Sequence, residues 1–179
     1  MIGLTLRLGS VCSEYVEGKR KRYTNPFAYY FLVAAVGLFL TGMGNSATAV
    51  SADDDPPEFI LKYFAQIGLI CFIPLAFLWS KLFRRAERNL AENYVFSLYT
   101  FGYFAWCDVL LLGPLSFVIP SETAIGLIYL FMFVGYLVFA GTVFFQEKPH
   151  IVLTKYVVSF VVMFLVAAIV LLPVWINDV

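Results

Sequence analysis

The run Gly18-Lys19-Arg20-Lys21-Arg22-Tyr23-Thr24-Asn25-Pro26-Phe27 sets four consecutive cations against the start of an apolar segment. Upstream, Leu4, Leu8, Val11, Cys12, Tyr15 and Val16 recur every three or four positions, with Arg7, Ser10, Ser13, Glu14 and Glu17 filling much of the opposite side. That is the period of an amphipathic helix. The segment has neither the apolar run nor the small-residue cleavage site of a secretory signal. Residues 1–17 are therefore expected to lie as an interfacial helix on a membrane surface. Gly18 suits the C-cap of that helix, because glycine enters the left-handed conformation without a Cβ clash. Asn25-Pro26 then reads as the start of a second helix. The junction divides an interfacial segment, residues 1–25, from a transmembrane domain, residues 26–179.

Composition identifies the solvent of that domain. Of 179 residues, 61% are hydrophobic, 18% aromatic and only 13% charged, with a mean hydropathy of +0.85. Soluble domains carry about 25% charged residues, so the expected fold class is an all-α integral membrane bundle. The formal net charge of +0 removes the electrostatic case for a nucleic-acid partner. Cys12, Cys71 and Cys107 are far apart, and no C-x-x-C pair occurs. His150 has no Cys, Asp or second His nearby in sequence. Neither a disulfide framework nor a metal site is expected, and no cofactor. Cys12 lies close enough to the expected membrane surface for acylation, but a buried packing cysteine is the simpler reading.

Five apolar stretches long enough for a ~30 Å hydrocarbon core are expected at about 27–44, 60–80, 94–118, 123–145 and 156–175. Ala34, Gly37 and Thr41 put small residues on one face of the first, where another helix can approach closely. Pro74 is expected to kink the second, and Gly113-Pro114 to kink or break the third. Asp53-Asp54-Asp55 precedes Pro56-Pro57 and reads as a solvated loop, since a bare acidic run does not arrange ligands around a cation.

Five spans with the N-terminus inside satisfy the positive-inside rule. Arg7, Lys19, Arg20, Lys21, Arg22, Lys81, Arg84, Arg85, Arg88, Lys148 and Lys155 then fall on the cytoplasmic side, and only Lys62 outside. The acids Asp53, Asp54, Asp55, Glu58, Glu122 and Asp178 fall outside with the C-terminus. Removing any one span would put a basic loop on the wrong side. The clusters Lys19, Arg20, Lys21, Arg22 and Lys81, Arg84, Arg85, Arg88 serve either as that topology signal or as contacts with anionic lipid headgroups.

Asp108 is the ionisable residue deepest within a span. A carboxylate near the bilayer midplane is costly, so it should face the bundle interior. Gln66, at similar depth on the antiparallel second span, and Tyr29, Tyr30 and Tyr136 are its candidate partners. Asp108 either titrates in a transport pathway or pins two helices by hydrogen bonding. With no second acid or base at that depth and no internal repeat, the structural role is favoured.

The segment Tyr15-Val16-Glu17-Gly18-Lys19-Arg20-Lys21-Arg22-Tyr23-Thr24-Asn25-Pro26 carries a Tyr-x-x-Gly-Lys-Arg-x-x-Tyr-x-x-Pro pattern. Through it, residues Thr5 to Phe27 resemble a family of uncharacterised bacterial inner-membrane proteins, domain of unknown function 3667. The block from Ile73-Pro74-Leu75 to Asn93-Tyr94-Val95-Phe96 is similar to that family's second span and following loop. Many members begin with a cysteine-rich, zinc-ribbon-like segment; this sequence has none, so no metal role is implied. The resemblance implies a location in the bacterial cytoplasmic membrane and supplies no catalytic residues.

The cytoplasmic loops offer His150, Glu147, Glu87 and Glu92 without nucleophile–base spacing or a glycine-rich phosphate loop. The expected function is therefore non-enzymatic: a multi-pass scaffold or accessory subunit in contact with anionic lipids and a protein partner or further copies of itself. The alternative is a small transporter, channel or pore-forming homo-oligomer with Asp108 in its pathway.

Overall fold

Asn25 and Pro26 open the first long helix as the sequence suggests. The Asn25 side chain accepts a hydrogen bond from the Phe27 amide at 2.9 Å, and Pro26 fills the first helical position, where a missing N–H costs nothing. The computed structural model describes residues 2–47, 58–107, 110–111 and 122–177. Among them are six α-helices and no strand: α1 Ile2–Val16, α2 Pro26–Ala47, α3 Glu58–Leu82, α4 Leu90–Cys107, α5 Glu122–Phe145 and α6 Pro149–Asn177. Asp108, the Asp53 to Asp55 run and Gly113-Pro114 lie outside the described residues.

The helix α4 is the hub. It packs against α1, α2, α3 and α5, and α6 closes the bundle against α5 and α3. Its contacts bury Phe96, Leu98, Tyr99 and Phe104 together with Asn93, Ser97 and Thr100. Two of these polar side chains bond locally, whereas Thr100 Oγ1 and Asn93 Oδ1 have no hydrogen-bond partner among the described residues. Ser97 Oγ donates to the Asn93 carbonyl at 3.0 Å, and Asn93 Nδ2 donates to the Asn89 carbonyl at 3.0 Å. Such local bonding lets a polar residue sit in an apolar interior.

The core is mostly aromatic. Phe83 and Phe145 stack with ring centroids 3.7 Å apart, and Phe96 and Phe144 at 4.5 Å. Trp79 packs on Tyr156 at 5.1 Å, joining α3 to α6.

Two helices among the described residues are long and apolar enough to cross a membrane, Thr123–Phe145 and Pro149–Ile169, with mean hydropathies of 2.2 and 2.3. Gln66–Leu82 is a shorter apolar helix. Pro74 lies within α3, which runs unbroken from Glu58 to Leu82.

Two helix starts depart most from the expected spans. The helix α4 begins at Leu90, not 94, because Asn89 and Glu92 form a reciprocal cap: Glu92 N–H donates to Asn89 Oδ1 at 2.9 Å and Asn89 N–H to Glu92 Oε2 at 3.1 Å. The helix α6 begins at Pro149, not 156, so residues 149–155 are helix rather than loop. Apolar runs locate where a helix meets lipid, whereas caps decide where it starts.

The N-terminal helix also differs from expectation. Leu8, Val11 and Cys12 are buried, because α1 lays its apolar face on α4 and α5 rather than turning it to lipid. Gly9 permits the approach: a Cβ there would stand 2.5 Å from the Ala140 carbonyl oxygen and 2.7 Å from Val143 Cβ. The helix is broken at Arg7, where φ is −140° and ψ 26°.

Candidate functional site

The run from Gly18 to Phe27 forms a hook that ties α1 to α2 and α4. Gly18 takes a φ of 103°. Its amide donates to the Tyr15 carbonyl at 3.2 Å and the next amide, Lys19, to the Glu14 carbonyl at 3.0 Å. These paired bonds close α1 as a Schellman motif. Tyr15 meets Tyr99 edge-on at 5.8 Å, and the Arg20 guanidinium lies over the Tyr15 ring at 5.9 Å. The Tyr23 hydroxyl donates to Glu14 Oε2 at 2.7 Å, and Tyr99 donates to the Thr24 carbonyl. This hydrogen bond from Tyr23, with weaker help from Lys19, Arg22 and Arg7, holds the Glu14 carboxyl below its ordinary value against a desolvation effect. Gly18, Lys19, Arg20 and Tyr23 of the Tyr-x-x-Gly-Lys-Arg-x-x-Tyr-x-x-Pro pattern thus form the turn, between Tyr15 in α1 and Pro26 at the start of α2, and the pattern reads as structural. Burial pushes the Cys12 thiol up, which makes it a poor nucleophile.

Beside the hook lies a cavity of about 600 Å³, built from the α3–α4 connection and the α5–α6 connection. Arg85, Ala86, Glu87 and Arg88 form one wall; Gln146, Glu147, Lys148, His150 and Ile151 form the other, with Phe144 and Phe145 completing the lining. Arg88 links cavity and hook. Its guanidinium lies 5.0 Å over the Phe144 ring, with long contacts to Ser13 Oγ at 3.5 Å and Glu17 Oε1 at 3.9 Å. Glu147 is committed to Lys155, whose ammonium donates to both carboxylate oxygens at 2.6 Å and sits 4.6 Å over the Phe83 ring. Glu87 and Gln146 have positive φ, 52° and 55°, each just beyond a helix end on this cavity.

The expected site residues are divided among these regions. Arg85 and Arg88 line the cavity. Lys19, Arg20, Lys21 and Arg22 are exposed on the hook. Lys81 is exposed, its ammonium 5.3 Å over the Phe77 ring, and Arg84 is exposed on the turn before Arg85. Gln66 is exposed rather than turned into the bundle. Tyr136 is half-buried and stacks on Tyr103 at 4.3 Å. Tyr29 and Tyr30 are buried: Tyr29 lies against Gly102 and Tyr99, and Tyr30 against Gly68 and Phe72. Sequence reading left Lys148, His150 and Gln146 out of the candidate set. The available signal was topological, since two loops on one face of a bundle can converge however far apart they are in sequence.

Residues 1–37 match the family described as protein of unknown function (DUF3667). The resemblance carried by Tyr15 to Pro26 is thereby shown over that stretch, which takes in α1, the hook and the first half of α2. It stops short of the block from Ile73 to Phe96. No curated protein and no solved structure matches the chain.

Proposed function

We propose that the protein is a non-enzymatic, multi-pass subunit of the bacterial cytoplasmic membrane, a scaffold or accessory chain with five spans and its N-terminus inside. The carrying observation is the apolar exterior of its last two helices. Phe131 is 76% exposed, Phe164 74% and Ile169 68%. Soluble proteins rarely leave large contiguous apolar surface to water, so lipid or a partner helix must cover it. The helices α2 and α3, at 22 and 25 residues, are also long enough to cross at about 1.5 Å per residue. At the opposite extreme, the basic connections converge on one cavity, as expected of loops held on the cytoplasmic face.

The non-enzymatic part of the reading is supported by what faces that cavity. No Ser, Thr or Cys lines it beside His150, and Glu147 is held by Lys155. No hydroxyl or thiol nucleophile stands beside a free base there, as acyl transfer would require.

The test is the native mass of gently solubilised protein, with identification of co-purifying chains. A stoichiometric complex with a different chain is expected. A closed homo-oligomer whose ion flux is abolished by Asp108→Asn would overturn the accessory reading in favour of a pore. Reporter fusions within residues 51–57 and 83–89 check the topology: the first should report outside and the second inside.

A further inference from the structure

We propose that the cavity between the α3–α4 and α5–α6 connections binds a phosphate-bearing anion, with Arg85, Arg88, Lys148 and His150 as its donors. The chemistry favours an anion of moderate size. Arg85 and Arg88 offer planar forks suited to phosphate oxygens, and Lys148 adds a compact charge. The Glu147–Lys155 pair is internally neutral, so Arg85, Arg88 and Lys148 face one further acid in the lining, Glu87, with Glu17 3.9 Å from Arg88 outside it. Arg88 stays on the cavity wall, 5.0 Å over the Phe144 ring, while its Nη2 reaches Ser13 Oγ at 3.5 Å. Its nearest carboxylate, on the half-exposed Glu17, is 3.9 Å away, too far for a hydrogen bond.

The shape agrees with the charge. About 600 Å³ falls within the range of small-ligand sites. Ile151 and the edges of the buried Phe144 and Phe145 complete the lining beside the polar groups. The backbone shapes both walls by ending a helix on each. Glu87 and Gln146 both adopt left-handed conformations, with φ of 52° and 55°. Glycine is the usual residue there. Here each residue ends a helix, Glu87 after Arg84–Ala86 and Gln146 after Phe145. Both line this one cavity, one on each wall.

Phosphate of this kind comes either from an anionic lipid headgroup or from a soluble phosphate. The site deepens the membrane reading above and rests on it only for the lipid source. The experiment is calorimetric titration of the full-length protein in zwitterionic detergent with three probes: short-chain phosphatidylglycerol, short-chain phosphatidylcholine and inorganic phosphate. Saturable binding of phosphatidylglycerol, without phosphatidylcholine binding, is expected. The double variant Arg85→Gln/Lys148→Gln should bind about tenfold or more weakly, as expected from the loss of charge-assisted contacts. Lys21→Gln/Lys81→Gln removes the same charge outside the cavity and should bind like the native protein. Arg88→Lys keeps the charge but loses the fork, and should weaken binding with its melting temperature near native.

Binding of inorganic phosphate as well assigns the site to the phosphate group itself; phosphatidylglycerol alone assigns it to the headgroup. Absence of saturable binding, or equal weakening in both double variants, overturns the site in favour of diffuse surface charge. Cell fractionation separates this from the membrane reading. Phosphate binding by a protein found in the soluble fraction would leave the site standing and remove the membrane. A membrane-bound protein that binds neither anion would do the reverse.

Discussion

Along α6, Val152, Tyr156 and Ser159 turn into the bundle, whereas from Phe160 to Ile169 every side chain is exposed except half-buried Met163. Both stretches belong to one helix of high mean hydropathy, 2.3 over Pro149–Ile169, although the first carries Thr154, Lys155 and Ser159. The difference lies in what stands opposite. The first half meets Trp79, Phe83 and Phe145, with Trp79 5.1 Å and Phe83 5.6 Å from the Tyr156 ring. Ser159 there bonds to its own helix, donating to the Lys155 carbonyl at 2.8 Å. The second half presents Phe, Val, Leu and Ile outward. One helix thus contains an aromatic lock at the basic end and an apolar shaft beyond it.

The sharpest way to break this comparison is to truncate a large ring in each region. Trp79 is fully buried and Phe164 is 74% exposed. Trp79→Ala should destabilise the protein by about 3–5 kcal/mol through the cavity it leaves, while Phe164→Ala stays within about 0.5 kcal/mol. Thermal melting in one detergent compares them, and equal losses would mean that the shaft is packed against protein.

A smaller effect is expected at the seat of α1. Gly9→Leu forces side-chain atoms into the Ala140 carbonyl and Val143, and should cost about 3 kcal/mol by overpacking. Maleimide labelling of Cys12, buried in the native fold, should accelerate as α1 lifts; unchanged protection would show that the helix finds another seat.

Smaller again is the ion pair beneath the cavity. The Glu147 side chain is 8% exposed and that of Lys155 21%, so Glu147→Gln leaves a largely buried ammonium short of its acceptor. A loss of about 1–3 kcal/mol is expected. Adding Lys155→Met should recover most of it, and a double-mutant cycle of melting temperatures reads the coupling.

The smallest change concerns the hook. Glu14 titrates below its ordinary 4.5, chiefly because Tyr23 donates to it. Its contribution to stability is therefore complete above that value and lost as pH falls through the lower, folded-state value. Tyr23→Phe should move the Glu14 titration, followed by carboxyl NMR, back toward 4.5, with little change in melting at neutral pH.

Much of the hook was legible in the chain itself. Gly18 as a C-cap and Asn25-Pro26 as a helix start depend on bonds spanning only a few residues, and the structure has both. The start of α6 was misplaced because Lys148, Pro149, His150 and Lys155 depress local hydropathy without interrupting helical hydrogen bonding. Residues 1–17 were correctly amphipathic, but periodicity shows that a face will be covered and not by what. The cavity was illegible for a related reason: Arg85 and Lys148 are far apart in sequence, and only the antiparallel return of α5 against α4 joins their loops.

By itself the sequence determined that the chain is helical, where its caps and apolar stretches lie, and that it carries the Tyr15 to Pro26 pattern. These follow from short-range hydrogen bonding and side-chain period, which act within one or two turns. Only the tertiary structure decided that α1 docks on α5, that half of α6 is locked by aromatics, and that two basic loops enclose one cavity. Those outcomes depend on which surfaces fit together at close range, a property of pairs of helices that no single segment contains.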